Sequence, residues 1–135
     1  MVSGCHTVTL ALLPGPYKFN VNFKVTDGGL CPDTVVADVD PANRCDDGKP
    51  DCLKAKTNEF VVFTAKKPDG GPCPDCNFKV SFDPFGKWAT EASNGVGSER
   101  IDPKVPPKTY AFNVTATDTY GNACHTIDPR IIVTP

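Results

Sequence analysis

Cysteine and histidine are the residues through which this chain of 135 could do chemistry. Its two histidines each follow a cysteine, as Cys5-His6 and Cys124-His125, and Cys73-x-x-Cys76 has the spacing of a zinc knuckle. Cys73, Cys76, His6 and His125 together make a tetrahedral ligand set conceivable, so a small zinc-binding protein is one reading. Against it, neighbouring residues of a strand point to opposite faces, and no second Cys-x-x-Cys occurs. A redox role for Cys73 needs a helix amino terminus to stabilise its thiolate, whereas Asn77 to Phe82 reads as strand. Copper lacks an axial methionine in range, since the single methionine is Met1. Serine or cysteine hydrolysis has only His6 and His125 as bases, both read as lying on edge strands. Paired-carboxylate chemistry lacks the deep cleft it usually requires. The expectation is a protein without catalytic activity or bound cofactor.

The acids offer a second chemistry. Asp38 to Gly48 opens Asp-x-Asp and could present oxygen ligands to Ca²⁺, but the sixth and twelfth places of a calcium loop hold Asn43 and Lys49. The plainer reading is a solvated acidic loop. Asp38, Asp40, Asp46, Asp47 and Asp51 are therefore the first candidates for a binding loop. Tyr120, Trp88 and Phe85 come second, as aromatic rings in turn-like sequence that could stack on a sugar or anchor a protein partner. For Trp88 the competing reading is a core residue or a plug at one end of the fold. Asn113-Val114-Thr115 matches a glycosylation sequon, although it falls in mid-strand.

These residues must be positioned by strands. Tyr17 to Val25 and Tyr110 to Thr117 alternate apolar and polar residues almost without error, each giving a sheet strand one oily and one wet face. Fourteen prolines and eleven glycines leave little room for long helices. Strands are predicted at Thr7 to Leu12, Tyr17 to Val25, Thr34 to Val39, Glu59 to Ala65, Asn77 to Phe82, Tyr110 to Thr117 and Cys124 to Val133. An eighth is predicted within Lys87 to Ile101, around the turn Ser93-Asn94-Gly95. The fold class expected is all-β: one domain over residues 1–135, two packed antiparallel sheets of seven to eight strands, with an irregular excursion from about 40 to 57.

A formal net charge of −2 with scattered Lys and Arg argues against a nucleic-acid surface. No run of eighteen apolar residues is present, so no membrane insertion is expected. Thr7 to Leu13 lacks the basic flank and small-residue cleavage site of a leader, which leaves two accounts: a chain that begins in the cytoplasm, or one whose leader Met1 has replaced.

From Tyr110 the sequence runs Tyr110-x-Phe112-x-Val114-x-Ala116-x-Asp118-x-x-Gly121-Asn122 and closes on Ile131-Ile132-Val133. This resembles the last hairpin of bacterial immunoglobulin-like, polycystic-kidney-disease-type and fibronectin-III-like sandwich domains. The resemblance implies that the Tyr packs at the base of the penultimate strand, the alternating apolar residues face the opposite sheet, and Asp and Gly shape the final loop. It implies a non-catalytic binding or structural module. The partner, protein or glycan, is unspecified, and self-assembly through edge strands or Cys31 is a further alternative.

Seven cysteines are many for a cytosolic domain of this size. Cys45 with Cys52 and Cys73 with Cys76 would be local bridges. In an immunoglobulin-like sandwich the first and last strands can lie side by side, which would pair Cys5 with Cys124 and leave Cys31 free or intermolecular. The alternative is a reduced cytoplasmic protein whose thiols are merely small residues. The cysteine content favours an extracytoplasmic location, at a cell surface, secreted or periplasmic.

Overall fold

The computed structural model describes residues 17–82 and 88–135. The predictions that fall on Cys5, His6, Phe85 and the strand Thr7 to Leu12 lie outside the described residues, and of Trp88 only the backbone is described.

The strands are β1 (Tyr17–Thr26), β2 (Gly29–Ala37), β3 (Cys52–Lys56), β4 (Phe60–Lys66), β5 (Lys79–Phe82), β6 (Trp88–Glu91), β7 (Val96–Arg100), β8 (Thr109–Ala111), β9 (Asn113–Thr115) and β10 (Arg130–Thr134). Only Phe112 separates β8 from β9; counted as one, they bring the described total to nine, above the seven to eight expected. One layer has the order β2-β1-β4-β7. In the other, β8 pairs with β10 and β9 with β5, so the run 109–115 joins two three-stranded ladders into β3-β10-β8/β9-β5-β6. The all-β sandwich read from the alternation is what the chain adopts.

Three features depart from expectation. β3 lies inside the excursion read as irregular and too polar for the core, yet Cys52, Leu53 and Ala55 are almost completely buried. Its Cys-Leu-Lys-Ala-Lys does alternate, but five residues among aspartates and lysines carry too little apolar signal to stand out. Two ladders, β1 with β4 and β3 with β10, are parallel rather than antiparallel. Finally, the turn Ser93-Asn94-Gly95 carries the chain between layers, since β6 pairs with β5 and β7 with β4. Asn94 and Gly95 both take positive φ there, at 57° and 77°. The position a Cβ on Gly95 would fill is occupied by the Cys73 carbonyl, so this turn admits only glycine.

The core is set by the inward phase of the alternation. Phe19 of β1 and Phe63 of β4 are register partners in one layer, with rings stacked at 5.6 Å. Phe112, from the other layer, meets them edge-on at 5.3 and 5.8 Å. All three rings are fully buried, each worth about 2–3 kcal/mol of apolar transfer. At the start of β8 the Tyr110 hydroxyl donates to the Pro106 carbonyl at 2.5 Å, tying the incoming loop to the strand. The same tie marks the corner before the penultimate strand of many sandwiches.

Strand direction gives the molecule two unlike poles. Tyr17 pairs with Val61 and Thr134 with Lys56, so both flank the turn 57–59, and the chain enters and leaves the described fold at one end, the tail pole. The connections 27–28, 67–78, 92–95 and 116–129 gather at the opposite end, the loop pole.

Candidate functional site

The loop pole is held by covalent and hydrogen bonds. Cys31 and Cys124 form a disulfide with Cα atoms 5.7 Å apart, joining the start of β2 to the 116–124 hairpin. This corrects the expected Cys5–Cys124 pair: the β1–β2 turn lies against that hairpin, as the Thr119 amide donating to the Gly28 carbonyl at 2.8 Å also records. Cys31 is thereby neither unpaired nor intermolecular. Cys73–Cys76 and Cys45–Cys52 are bonded as the local spacing anticipated. Three intramolecular disulfides are the chemistry of an oxidising, extracytoplasmic environment.

Asp118 organises the loop above the Cys31–Cys124 bridge. Its Oδ1 accepts the amides of Tyr120 and Asn122, both at 2.9 Å, and its own amide donates to the Asn122 carbonyl at 2.8 Å. Its carboxylate occupies the space a Cβ on Gly28 would need, so the glycine lets hairpin and loop close on each other. This ordered loop presents Tyr120 with 77% of its surface exposed.

Between the loops runs a crevice with two lobes. One, about 800 Å³, is lined by Asn77, Lys79, Glu91, Ser93, Thr115 and Thr117 among others. The second, about 440 Å³, reaches toward Gly29, Leu30, Asp75, Asp118 and Thr119. Asn77 and Thr117 line both. On the wall of the larger lobe, Lys79 and Glu91, register partners on β5 and β6, approach to 3.6 Å, both largely exposed. The walls offer hydroxyls, an amide, three carboxylates and one ammonium, suited to a ligand with hydrogen-bonding groups of both kinds. Sequence reasoning noted Asp118 only as a loop former and missed Asn77, Asp75 and Thr117, which no local pattern distinguishes from ordinary turn and strand-end residues.

The predicted binding residues do not converge. Tyr120 stands at the loop pole, whereas the Trp88 backbone, paired with Phe82, lies toward the tail pole. Asp38 follows β2 at the tail pole, in an ion pair with Lys18 at 3.6 Å and accepting from the Asn20 amide at 3.3 Å. Asp46 pairs with Lys54 at 3.2 Å, and Asp47 accepts from Arg130 at 2.8 Å and from the Lys49 amide at 2.9 Å. The Lys49 amide and then the Arg130 guanidinium hold the Asp47 carboxyl below its ordinary value; Asp47 in turn raises Arg130. The Asp51 carbonyl accepts from the Arg130 amide at 3.0 Å, while Asp40 is exposed beside the short turn Pro41–Asn43. The excursion is thus laid along the outer edge of β3, where Arg44 bridges Leu53 and the Cys45–Cys52 bond anchors it. It shields a strand edge that would otherwise be open.

Cys73 and Cys76, proposed as metal ligands, have their sulfurs bonded to each other, and His125 is exposed. Among the described residues no group of three or more His, Cys, Asp or Glu side chains converges, and no helix is long and apolar enough to cross a membrane. No protein-family profile and no curated protein matches this chain.

Proposed function

We propose that this chain is a non-catalytic binding module of a cell-surface or secreted assembly, immunoglobulin-like in kind, recognising a partner through the loops of one pole. The observation that carries this reading is polarity. The described chain enters and leaves at the tail pole, while the opposite pole gathers four connections, a disulfide joining the start of β2 to one of them, the crevice and the exposed Tyr120. A domain whose tails share one end is suited to presenting its other end, whereas an in-line spacer sends its tails out at opposite ends. Covalently stapled loops also lose little entropy when they bind.

Two measurements test this. Protein recovered from its source cells and alkylated under denaturing conditions is expected to gain six further labels once it is reduced, one for each bonded sulfur; a gain of none overturns the extracytoplasmic reading. Labelled protein is expected to be retained on the outer surface of those cells. Tyr120→Arg at the loop pole is expected to abolish retention and Phe60→Ser, an exposed residue at the tail pole, to leave it unchanged. Equal retention of both variants overturns the assignment of the loop pole.

A further inference from the structure

The sheet forks at the crevice. β5 and β9 pair through Ser81↔Asn113, Val80↔Val114 and Lys79↔Thr115, and the next rung in register would join Asn77 to Thr117. On one side, Val114 exchanges hydrogen bonds with Ile127, Ala116 accepts from Cys124 and Asp118 donates to Asn122. By the alternation of an antiparallel ladder, residues 113, 115 and 117 therefore aim their backbone groups at β5. On the other side, the Phe78 carbonyl accepts from Ala92, so Asn77 and Lys79 aim theirs at β9. Asn77 and Thr117 thus face each other with N–H and C=O groups, yet neither backbone makes a hydrogen bond among the described residues. The two lobes of the crevice lie where this rung is missing, and both residues line each of them.

We propose that this fork receives an extended, basic peptide segment of a partner protein, whose main chain supplies the missing rung. An extended chain offers N–H and C=O alternately to its two sides, which is what two facing, unpaired prongs require. The charge sets the side chains: Asp75, Glu91 and Asp118 outnumber Lys79 around the opening, and Glu91 already answers Lys79. A lysine- or arginine-bearing strand complements that surface and an acidic one is repelled. This inference deepens the binding-module reading and rests on the loop pole being the recognition surface.

The test uses isotope-labelled protein with its disulfides intact, titrated with a blocked pentapeptide alternating lysine and valine, followed by backbone amide resonances. Saturable shifts at the Asn77 and Thr117 amides are expected, with exchange of those two amides slowed about tenfold and the glutamate-valine peptide binding about tenfold more weakly. Thr117→Pro removes the outward N–H and is expected to weaken binding about tenfold, while Thr117→Ala keeps it within about twofold. Absence of saturable shifts at the two amides, or equal binding of the acidic peptide, overturns the proposal. Should Thr117→Pro fail to fold, amide exchange in the unaltered protein decides alone. Titration with cellopentaose separates this idea from the one beneath it: shifts confined to the Tyr120 loop with sugar, and none at the fork with peptide, overturn the peptide assignment and leave the module reading standing.

Discussion

At the scale of single residues, Tyr110 and Asp47 each hold a named polar partner. The Tyr110 ring is buried and its hydroxyl is bound to the Pro106 carbonyl, burial alone holding the phenol above its usual range. Tyr110→Phe leaves that carbonyl unanswered and is expected to cost about 1–2 kcal/mol in denaturant unfolding at an unchanged slope. Asp47 supplies a pH dependence whose sign is set by its depressed value. A carboxylate held more acidic in the folded state stabilises above its unfolded pKa, near 4, and that contribution fades as pH falls through the lower folded value. The 44–52 segment is therefore expected to loosen in acid before the rest of the fold. Resonances of the Lys49 amide and the Arg130 guanidinium should titrate together below about pH 4, and Asp47→Asn should abolish the coupled step.

At the scale of elements, the two kinds of disulfide carry different weight. Cys45–Cys52 and Cys73–Cys76 span 7 and 3 residues, whereas Cys31–Cys124 spans 93. Removing the long bridge with Cys31→Ser and Cys124→Ser is expected to cost about 4 kcal/mol and removing Cys73–Cys76 about 2, read as shifts in the denaturation midpoint. How much of this was legible follows from the reach of each signal. The alternation in Tyr17 to Val25 and Glu59 to Ala65 marks strands because it reports burial directly, and neighbouring cysteines find each other by proximity. Parallel pairing of β1 with β4 depends instead on where the chain returns after the excursion, which no local pattern carries. The same is true of Cys31–Cys124. β3 was hidden by its polar neighbours, and the fork at Asn77 and Thr117 is an absence of pairing, to which composition is blind. Of the residues singled out for binding, Tyr120 stands beside the crevice. Asp38, Asp46 and Asp47 stand out in the sequence by their charge, and the pairing of that charge with Lys18, Lys54 and Arg130 is a tertiary fact.

At the scale of the whole molecule, aromatic contacts join the layers: Phe112 with Phe19 and Phe63, and Phe23 with Phe78. Phe112→Ala would empty the space between Phe19 and Phe63 and is expected to lower stability by about 3–5 kcal/mol, measured by thermal or denaturant unfolding with all disulfides intact. The long bridge has a mechanical consequence. Among the described strands, Cys31 and Cys124 enclose all except β1, which ends before the first sulfur, the first two residues of β2, and β10, which follows the second; β1 and β10 are interior strands of their layers. The span between the sulfurs is therefore one covalently closed loop running through both layers, and each layer takes in one strand from outside it. A tension applied through the tails would draw β1 and β10 from their slots and then meet the S–S bond, leaving the 93-residue span between the sulfurs outside the load path. The loop pole lies largely within that sheltered span, so traction on the tails bypasses most of its connections.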